Sequence, residues 1–141
     1  MKFWDSSAVV ALLVDEALQK FVRRELEQDP AMIVWWGTGV ECVSALVRRE
    51  RDGSTDAASS RVALEQLRKL AGEWNEVVPT DAVRSAAQRM LRVHTLTAAD
   101  AFQLAAALIA AADDPFTLEF VSLDQRLNAA AAREGFRISS A

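Results

Sequence analysis

The sequence predicts an α/β fold with a central, mostly parallel sheet. Two observations carry that expectation. Short apolar runs of strand length alternate with longer runs at helical spacing, and turn signals separate one from the next. The 141 residues suffice for one domain with a substantial core, expected to span 1–141. No repeat, low-complexity tail or linker interrupts them.

Lys2–Trp4 reads as the first strand, and Ala8–Leu26 as a helix stopped by Asp29-Pro30. Met32–Trp36 is a continuous apolar run of strand length. Helical sequence follows from Val40 to Arg51, closed by Asp52-Gly53. Ser54–Trp74 carries Val62, Leu67, Leu70 and Trp74 at helical spacing, and Val77-Val78 is a short strand ended by Pro79. Ala82–Val93 and Ala98–Asp113 are two further helices. Phe116–Ser122 is a strand, Gln125–Glu134 a last helix ended by Gly135, and Phe136–Ile138 an edge strand.

Composition narrows the chemistry. One cysteine, Cys42, excludes an internal disulfide framework and any multi-cysteine zinc site, and one histidine, His94, excludes designs that need a histidine pair. The apolar stretch Ala8–Val14 is short and bracketed by Asp5 and Asp15, unlike the core of a signal peptide. The longest apolar run, Ala101–Ala112, falls short of the ~20 residues a bilayer span needs. A soluble, cytoplasmic protein is expected. The net charge of −4 argues weakly against a nucleic-acid partner.

Four acids occupy one kind of place. Asp5 ends the first strand, Glu41 lies in the first turn of the helix after the second, Asp100 opens the Ala-rich helix, and Asp124 follows the strand Phe116–Ser122. In a parallel α/β sheet, strand ends and the helix starts that follow them gather along one edge, where ligands bind. Taken singly, each acid also reads as a helix cap. Thr38–Glu41 and Thr97–Asp100 fit the capping box, and Ser122–Gln125 is a helix start. Capping needs no convergence, however, and it does not account for Asp5. Four converging carboxylates repel one another and call for a counter-charge. With a single histidine available, the simplest one is a hard divalent cation, Mg²⁺ or Mn²⁺, which suits phosphoryl transfer. With those four set aside, 16 acids balance 16 bases, and the objection from net charge weakens.

The motifs themselves resemble those of the PIN domain family, in particular the VapC-type toxins of bacterial toxin–antitoxin pairs. FWDSSAVVALLVDE is similar to the family's opening, TGVECVSALVRRE to its second acidic motif, LTAADAFQLAAAL to the third, and FVSLDQRLNAAAAREG to the fourth. They occur in the family's order and span nearly the whole chain. Departures are Trp4 before the first acid and Trp35-Trp36 before the second motif.

The resemblance implies a PIN-like three-layer α/β/α sandwich. It implies an acidic cluster of Asp5, Glu41, Asp100 and Asp124, with Ser6 and Ser122 as polar support. It further implies Mg²⁺- or Mn²⁺-dependent endoribonuclease activity on RNA, a homodimer, and a cognate antitoxin that reaches the acidic pocket. Asp5 and Asp100 are then the main metal ligands, Asp124 completes the shell, and Glu41 holds a second ion or orients the attacking water.

Other residues have plainer readings. His94 near a helix end reads as structural, and Cys42 as a small buried hydrophobe. Arg48, Arg49 and Arg51 read first as solvated arginines that complement a helix dipole, and second as contacts to RNA phosphates or to the antitoxin. Trp4, Trp35 and Trp36 are expected in the core, and Trp74 is offered as a dimer or partner anchor. Two competing classes stay in view. One is a PIN-like module that binds RNA or a partner without turnover. The other is a different acidic-pocket α/β enzyme, against which count Ser7, where a dehalogenase-type phosphatase wants a second Asp, and the lack of any lysine after Lys69, where a receiver wants one.

Overall fold

The computed structural model describes residues 1–14 and 17–139. Five strands, β1 (Lys2–Trp4), β2 (Met32–Trp35), β3 (Asn75–Val77), β4 (Glu119–Val121) and β5 (Arg137–Ile138), form one sheet in the order β3-β2-β1-β4-β5. Every pairing is parallel. Seven helices are described: α1 (Ser6–Val14), α2 (Gln19–Gln28), α3 (Thr38–Arg51), α4 (Ala57–Ala71), α5 (Asp81–Val93), α6 (Ala98–Ala110) and α7 (Gln125–Glu134).

Side chains alternate across the pleat and so feed two cores. Phe3, Ile33, Trp35 and Phe120 point to one face, against Val83 and Met90 of α5, the alanines of α6, and Leu127 of α7. Trp4, Met32, Val34 and Val121 point to the other, against α1, Val22 of α2, Leu46 of α3 and Leu67 of α4. The result is the three-layer α/β/α sandwich, PIN-like in its layering. Each large side chain buried this way stabilises the fold by roughly 1.5–3 kcal/mol. The alanines of α6 bring that helix close enough for Phe102 to stack on Trp35, ring centroids 5.3 Å apart.

The predicted order of elements holds, with differences at particular points. The expected helix Ala8–Leu26 is two helices. α1 begins two residues earlier, at Ser6, and Gln19 Nε2 donates to the Leu12 carbonyl at 3.0 Å, satisfying an acceptor in the last turn of α1. Asp15, where the apolar bracket was expected to close, lies outside the described residues. The strand expected over Phe116–Ser122 shortens to Glu119–Val121, because Pro115–Thr117 makes a 3₁₀ turn. The edge strand after α7 is present, reached through Gly135, which ends the helix at a φ of +104° that favours glycine.

Two tryptophans depart from expectation. Trp36 is 56 % exposed rather than in the core, since it lies one residue past β2, edge-on to Trp35. Trp74 is buried among α-helical side chains instead of standing free as an anchor, and its indole Nε1 donates to Glu76 at 3.0 Å. The turn after β2 needs Gly37 because the Trp35 indole nitrogen would stand 2.7 Å from any Cβ there.

His94 closes α5 as its C-cap, and Nε2 lies 2.7 Å from Glu134 Oε2 at the end of α7. Arg89 donates to the other Glu134 oxygen at 2.6 Å. Partial burial pushes the Glu134 carboxyl up, but the hydrogen bonds and charges of Arg89 and His94 outweigh it and hold the group below its ordinary value. A depressed carboxyl stabilises the fold above its unfolded pKa and loses that contribution as pH falls through the native one. We therefore predict that Glu134→Gln costs about 1–2 kcal/mol in urea unfolding at pH 7. The gap to the parent chain should narrow as pH drops below the ordinary glutamate value of 4.5.

Candidate metal centre at the strand ends

β1 is flanked on one side by β2, the next strand in the chain, and on the other by β4, which arrives only after β3 and four further α-helices have been laid down. That reversal opens a crevice beyond the C-terminal ends of β1 and β4. Asp5 follows β1 there, and its backbone N–H continues the ladder to the Val121 carbonyl at 3.0 Å. Ser122 and Asp124 follow β4 alongside. Glu41 enters from the first turn of α3, and Asp100 from the first turn of α6. All four carboxylates line one cavity of about 780 Å³.

Asp5 is only 3 % exposed. Its Oδ2 accepts from the Ser7 hydroxyl at 2.6 Å, the Ser122 hydroxyl at 2.9 Å and the Ser7 backbone N–H at 3.2 Å. The last of these is a helix-cap bond, so Asp5 does help start α1, contrary to expectation. The Ser6 hydroxyl lies 3.5 Å from its Oδ1, and Asp5 lines the cavity. Ser7 also accepts from the Leu123 N–H at 2.9 Å, and Ser122 from the Asp124 N–H at 3.1 Å. The two hydroxyls thus pin the chain after β4 to the carboxylate after β1. Ser122 was foreseen in that supporting place, and Ser7 was not.

Glu41 does not cap its helix. The N-cap of α3 is Gly37, which offers no side chain, and Glu41 Oε2 instead accepts from Ser6 Oγ at 2.7 Å and Gln103 Nε2 at 3.0 Å. Gln103 is fully buried on α6 and also donates to Thr38 Oγ1 at 3.0 Å, tying α6 to α3. Its one sequence signal was to be the sole polar residue in the Ala101–Ala112 run. Asp124 does act as a cap, its Oδ1 accepting from the Leu127 N–H at 3.0 Å. At Asp100 the capping box is half made: the Thr97 hydroxyl accepts from the Asp100 N–H at 3.2 Å, and Asp100 lies half-buried at the cavity.

The carboxylates feel one another. Burial pushes the Asp5 carboxyl up, by more than its hydrogen bonds pull it down. Burial does the same to Glu41, and the charges of Asp5 and Asp100 add to it. Asp100 is raised by burial and then by Asp124 and Asp5. Cys42, next to Glu41 in the chain, has its thiol pushed up to about 12 by burial and by the charges of Glu41 and Asp5, which leaves it unreactive. His94 bonds to Glu134 and does not line the cavity.

As donors, the set is all hard oxygen, and such a set fits Mg²⁺ or Mn²⁺ rather than zinc. As placed, the carboxylates rim the cavity instead of closing on one point. Among the described residues no three His, Cys, Asp or Glu side chains are grouped so as to hold a metal ion. Arg48 and Arg49 of α3 also line the cavity, whereas Arg51 does not.

No family model matches this chain, and no curated protein matches it by sequence. Its fold is similar to that of solved structures. FitAcB from Neisseria gonorrhoeae aligns over 99 % of this chain and 97 % of its own, at a TM-score of 0.69 and 15 % identity. FitAB bound to an IR36 DNA fragment aligns over 98 % and 93 %, at 0.66 and 13 %. PAE2754 from Pyrobaculum aerophilum aligns over 98 % and 88 %, at 0.61 and 25 %. The shared architecture covers nearly the whole chain.

A raised carboxyl stabilises least where it is ionised. The native Asp5 keeps its proton to higher pH than the unfolded chain does, so stability falls as pH rises from 3.8 through the native pKa. At neutral pH the charge works against folding. Asp5→Asn is expected to raise the melting temperature by roughly 3–6 °C at pH 7 in metal-free buffer. The difference should shrink toward pH 3.8 when both chains are followed by thermal denaturation.

Proposed function

We propose that this protein is a metal-dependent endoribonuclease acting as the toxin of a toxin–antitoxin pair. The observation that carries it is the gathering of Asp5, Glu41, Asp100 and Asp124, from four separate elements, around one cavity at the sheet's C-terminal edge. Three of the four are raised by burial, and Glu41 and Asp100 also by neighbouring carboxylates, so the arrangement costs stability. A cation would relieve that cost. The architecture shared with FitAcB, FitAB and PAE2754 supports the PIN-type assignment, and FitAB's occurrence with DNA is in keeping with a nucleic-acid context.

Asp5 and Asp100 would hold Mg²⁺ or Mn²⁺, with Asp124 completing the shell. A bound ion would acidify a water and offset charge on the phosphate. The chain's own groups supply orientation and proton transfer. Ser7 and Ser122 hold Asp5 by Oδ2, so Oδ1 would be the oxygen offered to the ion. Ser6 and Gln103 grip Glu41 by Oε2, which leaves Oε1 to take a proton from the attacking water. That water forms a new P–O bond as the P–O ester bond opposite breaks, giving a phosphomonoester and a hydroxyl. A cognate antitoxin, a homodimer and a cytoplasmic setting belong to the same proposal. No helix among the described residues is long and apolar enough to cross a membrane.

The rimmed rather than closed carboxylates favour one alternative, a PIN-like module that binds RNA or a partner without turnover. Cleavage separates the two. The purified chain, freed of any partner, is expected to cut RNA in Mg²⁺ or Mn²⁺, and to lose activity in EDTA and in Asp5→Asn. Glu41→Gln should lower the rate by about 10²–10⁴-fold. Mn²⁺ should raise the melting temperature of the parent chain and not of Asp5→Asn. Metal binding without cleavage of total RNA would favour the module, and absence of metal binding would sink the nuclease assignment.

A further inference from the structure

The cavity is longer than its acidic end. α3 runs along it, with Val40, Glu41, Ser44, Ala45, Arg48 and Arg49 lining it and the C-cap Asp52 following. Those positions recur at three- and four-residue steps, so they form one continuous face of the helix. Arg48 lies seven residues beyond Glu41, about 10 Å of helical rise. Ser44 and Ala45 between them are small and keep the path open, and Val10 and Ala11 of α1 line it too.

Within the described residues the two arginine side chains have no direct bonding partner, though their charges add to the Ser54 hydrogen bonds that hold the Asp52 carboxyl down. Among the described residues, neither the Arg48 nor the Arg49 guanidinium makes a salt bridge or a hydrogen bond, while those of Arg68, Arg84, Arg89 and Arg137 all do. Asp52, the acid nearest in sequence, is turned to the loop that follows, where its Oδ1 accepts from the Ser54 N–H at 2.9 Å. Complementing a helix dipole explains cationic residues in the last turn, but not why two of three enter the cavity that holds the carboxylates. Arg51, in the same turn, stays outside it. A planar guanidinium with free donors beside an open cavity is suited to bidentate capture of a phosphate.

We propose that Arg48 and Arg49 form a phosphate subsite that binds the RNA backbone one or two nucleotides from the phosphate at the acidic end. This inference rests on the nuclease assignment and adds direction to it. The strand would lie along α3, the acidic end placing the scissile phosphate and the arginine end setting its register. Arg48 and Arg49 are then positioning residues. They touch the substrate away from the reacting atoms, and they offset the repulsion between an anionic strand and the four carboxylates.

The test uses the full chain carrying Asp5→Asn, so that RNA is bound and not cut. A labelled single-stranded RNA oligonucleotide is titrated by fluorescence anisotropy between about 50 and 200 mM KCl. Replacing both arginines by glutamine (R48Q with R49Q) should weaken binding about tenfold or more at the low-salt end. It should also reduce the slope of log Kd against log salt by about 1.4, since each phosphate contact on a single strand contributes about 0.7. Arg51→Gln should change neither quantity. Arg48→Lys with Arg49→Lys keeps the charge and loses the fork, so its slope should persist while affinity falls; this pair also guards against a glutamine variant that folds poorly.

Equal losses in Arg51→Gln, an unchanged slope in the double glutamine variant, or no RNA binding at all would overturn the subsite. So would a loss confined to an oligo-glutamate peptide with RNA binding intact, which would assign the arginines to a protein partner. Cleavage by chains retaining Asp5 keeps the two proposals apart. A higher KM with kcat little changed supports both. RNA binding that depends on Arg48 and Arg49 without cleavage in Mn²⁺ retains the subsite and removes the nuclease. Cleavage with an unchanged KM does the reverse.

Discussion

Asp5 is nearly excluded from solvent at the end of the central strand, and the uncompensated burial of a carboxylate costs on the order of several kcal/mol. The surroundings are arranged around that cost. Ser7 and Ser122, 115 residues apart, both aim their hydroxyls at one of its oxygens, and the Ser7 amide joins them. In doing so they lock the loop after β4 to the start of α1, which brings Asp124 and Leu123 to the cavity. The hydrogen bonds do not cancel the desolvation, and the carboxyl stays raised. The carboxylate is thus kept in place at a net cost.

The same logic separates Asp5 from the other buried charges. Lys2 on β1 is buried too, but its ammonium meets Glu25 at 2.6 Å and Glu119 at 3.5 Å, so the charges compensate one another. Glu134 is matched by Arg89 and His94, and its carboxyl is held down rather than pushed up. These clusters fasten one secondary-structure element to another. At the cavity every charge near Asp5 that the raised pKa values register is of its own sign, apart from a minor contribution of Arg126 at Asp100.

Sheet topology makes the convergence possible. Because β1 lies between β2 and β4, the ends of the strands that precede Asp5, Glu41 and Asp124 open on the same edge. The small side chains of α6 let that helix press on the sheet, and Gln103 then reaches α3 from within the core. Gln103 is buried with one side-chain oxygen unpaired, a cost that holding Glu41 and Thr38 together offsets.

By itself the sequence determined the alternation of strands and helices, the parallel sheet, and the residue types of an oxygen-only site, because periodicity and turn chemistry are local properties. Helix α7 was legible to the residue, since Asp124 and Gly135 are strong local end signals. The break between α1 and α2 was not, because both sides are good helix formers and the boundary involves a Gln19 bond back to Leu12. Only the tertiary structure decided which acids cap helices and which are held otherwise. Thr38–Glu41 and Thr97–Asp100 look alike as strings, yet Glu41 is drawn away by Ser6 and Gln103, whose approach depends on packing between distant segments. The same holds for the tryptophans and for Arg48 and Arg49. Whether a side chain is buried, exposed or turned into a cavity depends on what lies opposite it, and the partners across this cavity come from segments as far apart as Ser7 and Ser122.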